Sequence, residues 1–369
     1  EEDYDQAMYA YEQLLKEPEA TVPLRTASLL TLAQLNLVKE RWDKGISLIL
    51  QWMSEVETVT AQSYYLLASA YFQKTDYVRA RTNMEEAIRL AEEEGYRPKE
   101  NWYVLLAACF SELKDKKIIS AQFALEQQVG IYEILVNYYP KKLYFLQLGG
   151  TYQQMDREED YMLTLKAAYE KDFLDKEGEY LALAQMLLLK KNPYWAAQVL
   201  VAGQQKKVTI TDEDTGEEEV VAVVKDKEKT LKLLADAWRM AQEIDKAIPV
   251  LEKAAKMSKD GDTYVLLGNL YLFEDRMEDS IRAIEAGLKK AKVKSRSQAL
   301  LVLGQAHFEL QNFEEAKKQF RAAAKDENKR IKKTANSWIK YAENEEVRVK
   351  NLALRRDFIQ QSKAKSKNS

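Results

Sequence analysis

The chain has 369 residues, of which 31% are charged, and it carries one histidine and one cysteine. Its 12 glycines and 6 prolines are fewer than average usage would give, which favours long amphipathic helices over a sheet-rich or disordered chain. One cysteine excludes an intrachain disulfide framework and a cysteine-cluster zinc site, and one histidine excludes a His-cluster metal site and most nucleophile–histidine arrangements. The composition therefore argues against the commonest catalytic designs.

The formal net charge of −3 hides a division along the chain. Residues 329–369 carry 12 Lys and Arg against 4 Asp and Glu, so residues 1–328 carry a net charge of −11. The body of the chain is therefore acidic and its end is basic. No apolar run approaches the ~18 residues of a membrane span.

One spacing of large and small apolar residues recurs along the chain. A clear copy has Tyr64, Leu67, Ala68, Tyr71, Ala80, Met84 and Ala87. Small residues such as Ala68 and Ala80 let two helices approach closely, and large ones such as Tyr71 fill the space between neighbouring pairs. This spacing resembles the tetratricopeptide repeat (TPR), a helix–turn–helix unit of about 34 residues. The resemblance implies an all-α fold, a right-handed superhelical TPR α-solenoid over residues 1–327.

The repeat frames follow one another in chain order. Residues 1–16 match only the second helix of a pair, so we expect its partner helix to lie upstream. The copy at 100–141 has about nine extra residues around 114–122, which predicts a lengthened helix or loop. Complete frames predict helix pairs over residues 26–59, 61–97, 100–141, 142–176, 177–207, 228–260, 261–296 and 297–327.

Two segments depart from the helix-pair pattern. Residues 208–224, VTITDEDTGEEEVVAVV, have two β-branched runs around an Asp-Thr-Gly turn, which predicts an inserted β-hairpin. Residues 328–361 are expected to form C-terminal cap helices, the first over Lys329–Asn344. Residues 362–369 are low in hydrophobicity, which predicts a disordered basic tail.

Residues that could carry chemistry have simpler interpretations. His307 takes the large packing position that Tyr271 takes in another frame, which predicts a core histidine with a satisfied ring. Cys109 lies on an apolar helix and is expected to behave as a small hydrophobe. We therefore predict no enzyme activity, no cofactor and no metal site. A solvated turn without a calcium-loop register is predicted for the acidic hairpin tip, Asp212, Glu213, Asp214, Glu217, Glu218 and Glu219.

The TPR resemblance implies a concave binding groove lined by positions 2, 5, 9, 12 and 13 of each first helix. These positions are mostly apolar or amide-bearing, which suits an amphipathic helix or an extended apolar segment of a protein partner. Lys232 and Asn269 only partly match the carboxylate clamp of chaperone-binding TPR domains, so we expect no clamp. The predicted groove residues are Leu30, Gln34, Leu37, Tyr65, Phe72, Leu146, Gln153, Leu181, Gln185, Leu188, Asp236, Arg239, Val265, Asn269, Leu272, Phe273, Leu301, Gln305 and Phe308.

Five of these residues are the expected anchors: Tyr65, Phe72, Leu146, Phe273 and Phe308. The alternative is that tight curvature, or the chain's own C-terminal helix, fills this surface. The basic end is interpreted as a solvated cap and tail, so no nucleic-acid partner is expected.

Four stretches are similar to gammaproteobacterial periplasmic TPR proteins that are encoded beside TonB-type systems. The two main stretches are Pro98–Leu113 and Tyr132–Tyr152, and the other two are residues 174–188 and 192–200. The resemblance implies an exported scaffold, its signal peptide removed, that binds a TonB-complex or other envelope component in transport. A cytoplasmic location is the alternative. The second hypothesis is an assembly protein that self-associates as a homo-oligomer, docks onto an envelope complex or tethers a periplasmic enzyme.

Overall fold

The computed structural model describes residues 2–211, 216–290 and 292–367. Over these residues the chain is mainly helical, with one short antiparallel pair of strands. The helices before the strands are α1 (Glu2–Leu14), α2 (Val22–Val38), α3 (Trp42–Glu55), α4 (Ala61–Gln73), α5 (Tyr77–Glu93), α6 (Glu100–Asp115), α7 (Ala121–Tyr138), α8 (Lys142–Gln154), α9 (Glu158–Glu170), α10 (Glu177–Leu189) and α11 (Pro193–Gln205). The strands β1 (Lys207–Thr211) and β2 (Glu218–Ala222) precede α12 (Glu228–Met240), α13 (Ile244–Met257), α14 (Asp262–Phe273), α15 (Met277–Leu288), α16 (Arg296–Glu309), α17 (Phe313–Ala323) and α18 (Lys329–Lys367).

The chain divides into two compact units, residues 1–174 and residues 175–369. The division falls after α9, within the range predicted as a single solenoid. In each unit every helix packs against the next helix along the chain, and the strongest contacts join the two helices of a pair. The predicted all-α class is confirmed: over the described residues the chain folds into helix pairs with one inserted hairpin.

The helix pairs close through small residues at their crossing points. A Cβ atom on Gly268 would lie 2.5 Å from Cδ1 of Ile284, so α14 and α15 approach closely there. Gly304 has the same role against the fully buried Phe320, since its Cβ would lie 2.5 Å from Cε1 of that ring. Glycine therefore stands where two helices touch.

All eight pairs turn through the same backbone structure. In the pair α4–α5, Thr75 has a φ of 60°, and the N–H of Asp76 donates to the carbonyl of Tyr71 at 3.0 Å. This is the bond pattern of a Schellman motif, which satisfies carbonyl groups at the end of the first helix. The residue with positive φ is not glycine in any of the eight turns: Glu40, Thr75, Lys117, Asp156, Lys191, Gln242, Asp275 and Gln311.

The extra residues of the third pair lengthen both of its helices. Helix α6 has 16 residues and α7 has 18, whereas α8 and α9 of the next pair have 13 each. The insertion adds helical turns and leaves only a short connection, residues 116–120, between the two helices.

The predicted β-hairpin is present. Its strands pair in the register Val208↔Val221, and the N–H groups of Val223 and Val224 donate to the carbonyls of Lys206 and Gly203, both at 2.9 Å. These two bonds fix the base of the hairpin on the end of α11. The tip residues 212–215, which include Asp212, Glu213 and Asp214, lie outside the described residues.

The C-terminal segment differs from the prediction. One helix, α18, replaces the expected series of cap helices, and it extends to Lys367, so the predicted disorder from residue 362 is wrong as far as Lys367. Residues 328–369 contain no glycine or proline and are rich in good helix formers, which explains the unbroken helix. Ala335 and Ala342 are fully buried, and Val349 is the last residue packed on the core. The side chains from Lys350 to Ser362 are exposed.

Candidate protein-binding surface

In the first unit, Tyr65 belongs to a polar aromatic cluster. Its ring stacks on Trp102 with the ring centres 5.4 Å apart and 12° between the planes. The Tyr65 hydroxyl accepts a hydrogen bond from Nδ2 of Asn101 at 2.8 Å. Tyr65 is half-buried, and its amide partner Asn101 is exposed.

Most of the other predicted groove residues of the first unit pack against neighbouring side chains and are only partly exposed. Leu37 covers Gly45 of its own pair, and Phe72 packs edge-on against Tyr77 with the ring centres 5.1 Å apart. Leu30 and Leu146 are half-buried. The exposed predicted residues of this unit are the amides Gln34 and Gln153.

Sequence reasoning missed several exposed apolar residues of the first unit. Val38, Val104 and Leu143 are exposed, and they occupy positions 13, 5 and 2 of their frames. The signal was available, because positions 2, 5 and 13 belong to the set that the TPR resemblance assigns to the groove.

In the second unit, three exposed apolar side chains occupy the same position in successive pairs. Leu189, Met240 and Phe273 end the helices α10, α12 and α14, with exposed fractions of 79%, 46% and 70%. Phe273 was predicted, whereas Leu189 and Met240 were missed although they share its position 13. We call these three residues the apolar row.

Polar groups lie one turn or less before the apolar row. Arg239 forms an ion pair with Asp236, 3.2 Å between Nη2 and Oδ1, and Gln185 is exposed. Nδ2 of Asn269 donates to the Val265 carbonyl at 2.9 Å. A surface of this kind joins exposed apolar contacts to side chains that can hydrogen-bond a peptide.

Four predicted residues of this unit are largely turned to packing. Leu181 and Leu188 on α10 are half-buried. Val265 and Leu272 are also half-buried and pack on a cluster that includes Leu303. These four side chains therefore pack beneath the candidate surface and contribute little exposed area to it.

The prediction fails at the last pair, where Leu301 and Phe308 are buried with 8% of their surface exposed. The ring of Phe308 lies 5.6 Å from that of Trp338 and 5.1 Å from that of Tyr341, both on α18. Gln305 is half-buried. The C-terminal helix therefore covers this part of the predicted groove, as the alternative interpretation expected, and Phe308 is a core residue.

The single histidine and the single cysteine behave differently from one another. Burial lowers the pKa of His307, and its Nδ1 has no hydrogen-bond partner, so the prediction of a satisfied ring is wrong at that atom. Cys109 is fully buried, and burial raises its thiol pKa to about 12, as expected of a small hydrophobe. Within residues 2–211, 216–290 and 292–367 there is no cluster of His, Cys, Asp or Glu that could hold a metal ion.

Neither half of the partial carboxylate-clamp match points to a clamp. Lys232 Nζ lies 3.5 Å from Oε1 of Glu228 on its own helix, and Asn269 donates within α14. None of the helices over the described residues is both long enough and apolar enough to cross a membrane.

Residues 61–94 and residues 265–329 each match a family model of the tetratricopeptide repeat. Tetratricopeptide repeats are therefore recognised in these two segments. Since these repeats are protein-interaction modules, they support a scaffold that binds protein partners. No curated protein matches the chain significantly.

Solved TPR structures resemble the chain at low identity. MamA is 17% identical, with 50% of this chain and 95% of MamA covered and a TM-score of 0.37. A tetratricopeptide repeat protein from Parabacteroides merdae is 13% identical, with 76% and 98% covered and a TM-score of 0.30. The TPR2AB domain of yeast Sti1, solved with pHSP90, is 10% identical, with 86% and 98% covered and a TM-score of 0.29. Similarity this low says nothing about the partners of this chain.

Proposed function

We propose that the TPR chain is a non-catalytic adaptor that binds a helical or extended segment of a protein partner on its first-helix face. The apolar row of the second unit carries this proposal. Leu189, Met240 and Phe273 are large and apolar, and their exposure means that core packing does not account for them. A repeated exposed apolar position is a common feature of an interaction surface.

The chemistry beside the row limits the partner. An amphipathic segment could place its apolar side chains on the row and its polar side chains near the Asp236–Arg239 pair and Gln185. Phe273 is the expected anchor, because it is the aromatic member of the row and aromatic side chains bury the most surface at an interface.

A crosslinking experiment tests this surface against a matched control. Met240 lies in the row, whereas Met257, with 50% of its surface exposed, ends the second helix α13. A photo-reactive residue at position 240 should capture a defined partner in the source cells, and the same residue at position 257 should not. Equal capture at both positions, or no capture at position 240, would show that the apolar row does not bind the partner.

We further infer a periplasmic role beside a TonB-type system, with an envelope component as the partner. Its support is the resemblance of Pro98–Leu113 and Tyr132–Tyr152 to such proteins. These stretches contact each other: the Tyr139 hydroxyl donates to the Pro98 carbonyl at 2.6 Å, and Lys141 Nζ lies 2.6 Å from Oε1 of Glu100. Because they are packing residues, they support a relationship to such proteins. The residues proposed to bind the partner are those of the apolar row.

Fractionation of the source cells tests the location. The proposal expects the chain in the periplasmic fraction and expects the species captured at position 240 to be a TonB-complex or envelope protein. If the chain is found with cytoplasmic markers, the periplasmic role is wrong. The proposed adaptor function would not be affected by that result.

Self-assembly is a second candidate function, favoured by the free end of α18. Leu354 and Phe358 are exposed beyond Val349, on a segment whose basic charge complements the acidic residues 1–328. The expected partner is a second copy of the chain. Light scattering should then show a concentration-dependent dimer that Phe358→Asp abolishes, and a monomer at all concentrations would exclude it.

A further inference from the structure

The inserted hairpin has a strand edge that is not paired over the described residues. The N–H of Val223 donates to Lys206, which places that pair among the hydrogen-bonded positions of the ladder. Since hydrogen-bonded and non-hydrogen-bonded pairs alternate in an antiparallel ladder, Glu218, Val220 and Ala222 direct their N–H and C=O groups away from β1. The outer edge of β2 therefore offers backbone donors and acceptors in a row.

This edge opens onto a cavity of about 600 Å³. The cavity lies between β2 and the helices α12 and α13, and Lys207 is the one residue of β1 that contributes to it. Its apolar wall comes from Val224, Leu231, Leu234 and Val250. The edge of β2, and not that of β1, is thus placed beside a space for side chains.

The middle of β2 lacks the usual protection of a free edge. Natural edge strands are blunted by charged residues, proline, bulges or a covering element. Val220 has 67% of its surface exposed, and the register from Lys207↔Ala222 to Thr211↔Glu218 has no bulge. An unprotected β-branched edge is a template for strand addition.

The charges along β2 differ between its two ends. Glu218 and Glu219 lie towards the hairpin tip. Lys225 and Lys253 line the cavity at the base, where Lys253 lies 3.9 Å from Oδ2 of Asp226. A strand added here would be stabilised by basic side chains opposite the two glutamates, since opposite charges across a strand pair attract.

We propose that β2 binds an extended peptide segment of a partner protein as a third strand. The segment places alternate apolar side chains in the cavity and Lys or Arg side chains near Glu218 and Glu219. This site is separate from the apolar row and does not depend on the function proposed for it.

Two proline variants test the proposal as a matched pair. Val220 and Thr209 face each other in a non-hydrogen-bonded pair, so Val220→Pro removes an outward N–H from β2 and Thr209→Pro removes one from β1. Neither change removes a bond between the two strands. Protection of the Val223 amide from hydrogen exchange, observed by NMR in both variants, verifies that the hairpin base is retained.

The probe is a display library of random 12-residue peptides, selected on the full chain. We expect enriched peptides with alternating β-branched residues and Lys or Arg near one end. Their affinity should fall about tenfold or more in Val220→Pro and stay unchanged in Thr209→Pro and in Phe273→Ala. Bound peptide should slow amide exchange at Glu218, Val220 and Ala222.

Several outcomes overturn the proposal. They are equal affinity for Val220→Pro and wild type, bound peptides that leave the β2 amides unprotected, and a selection in which no such peptide is enriched. Loss of binding in Phe273→Ala would place the peptide on the apolar row, which would support the adaptor function and reject the strand site.

Discussion

Nζ of Lys317 lies 2.7 Å from Oε2 of Glu346, and this ion pair joins α17 to the C-terminal helix α18. Lys317 is buried, and it also contacts Glu314 at 2.7 Å. Glu346 accepts a second bond from Lys350 at 2.7 Å. These two hydrogen-bonded lysines lower the pKa of Glu346 to about 2.

The pair should make the packing of α18 depend on pH. A carboxyl whose pKa is lowered by folding stabilises the protein above its unfolded value of about 4.5, and this stabilisation is lost as the pH falls towards 2. We expect Glu346→Gln to lower the urea midpoint at pH 7, because it leaves Lys317 buried with a weaker partner. The difference from wild type should shrink as the pH falls from 4.5 towards 2.

Glu343→Gln is the matched control for this prediction. Glu343 also joins α18 to α17, but its pair with Arg321 is 3.6 Å long and exposed at both ends. Exposed ion pairs contribute little to stability, so the urea midpoint of this variant should match that of wild type at pH 7 and also as the pH falls towards 2. A larger loss in Glu343→Gln than in Glu346→Gln would show that burial does not decide the effect.

Phe273 and Phe308 were both predicted to be anchors, and the structure predicts opposite behaviour for them. Phe308→Ala should lower the free energy of unfolding by about 3–5 kcal/mol, because the ring is buried among Phe313, Trp338 and Tyr341. Phe273→Ala should change it by less than about 0.5 kcal/mol, because most of the ring is exposed.

Urea unfolding and partner capture, measured on the same two variants, separate the roles. Phe273→Ala should reduce capture at position 240 without loss of stability. If it unfolds the second unit as Phe308→Ala does, the ring at 273 belongs to the core and the apolar row is not a surface.

The sequence was sufficient for the helix pairs because their packing is local and repeats. The spacing of Tyr64, Ala68 and Ala80 already implied two helices in close contact. It was not sufficient for the turns, where Thr75 and its counterparts adopt positive φ without glycine, since that conformation is imposed by the helix-end hydrogen bonds.

The candidate surface was less predictable, because exposure depends on what packs over a position. Leu301 and Phe308 have the same frame positions as Val265 and Leu272, yet α18 buries them. The extent of α18 was also hidden, because low hydrophobicity indicated disorder at residues that are good helix formers. The frame identified candidate positions, and the three-dimensional packing shows that Phe308, at position 12, is buried whereas Phe273, at position 13, is exposed.

Cys109 should be unreactive in the folded protein. Its pKa is raised to about 12, chiefly by burial, so the thiolate is scarce at pH 8 and the sulfur is out of reach of a reagent. Ellman's reagent should find no free thiol in native protein and one in urea. Rapid reaction of the native protein would contradict the packing of α6.

Gly304 should tolerate no larger residue, because α16 and α17 meet at it. In Gly304→Ala the new methyl group would stand 2.5 Å from the ring of Phe320, which is fully buried and would have to shift within a packed core. We expect the free energy of unfolding of the second unit to fall by about 1–3 kcal/mol, as in other overpacked cores.

Gly178→Ala is the control in the same unit. Gly178 has open space around it in the first turn of α10, so alanine there should be neutral or stabilising by roughly 0.5 kcal/mol. Hydrogen exchange followed by mass spectrometry, with separate readouts for α10 and for α16–α17, should show faster opening of α16–α17 in Gly304→Ala alone. Unchanged exchange there would mean that the two helices can separate without cost, which the close approach of Gly304 to Phe320 does not allow.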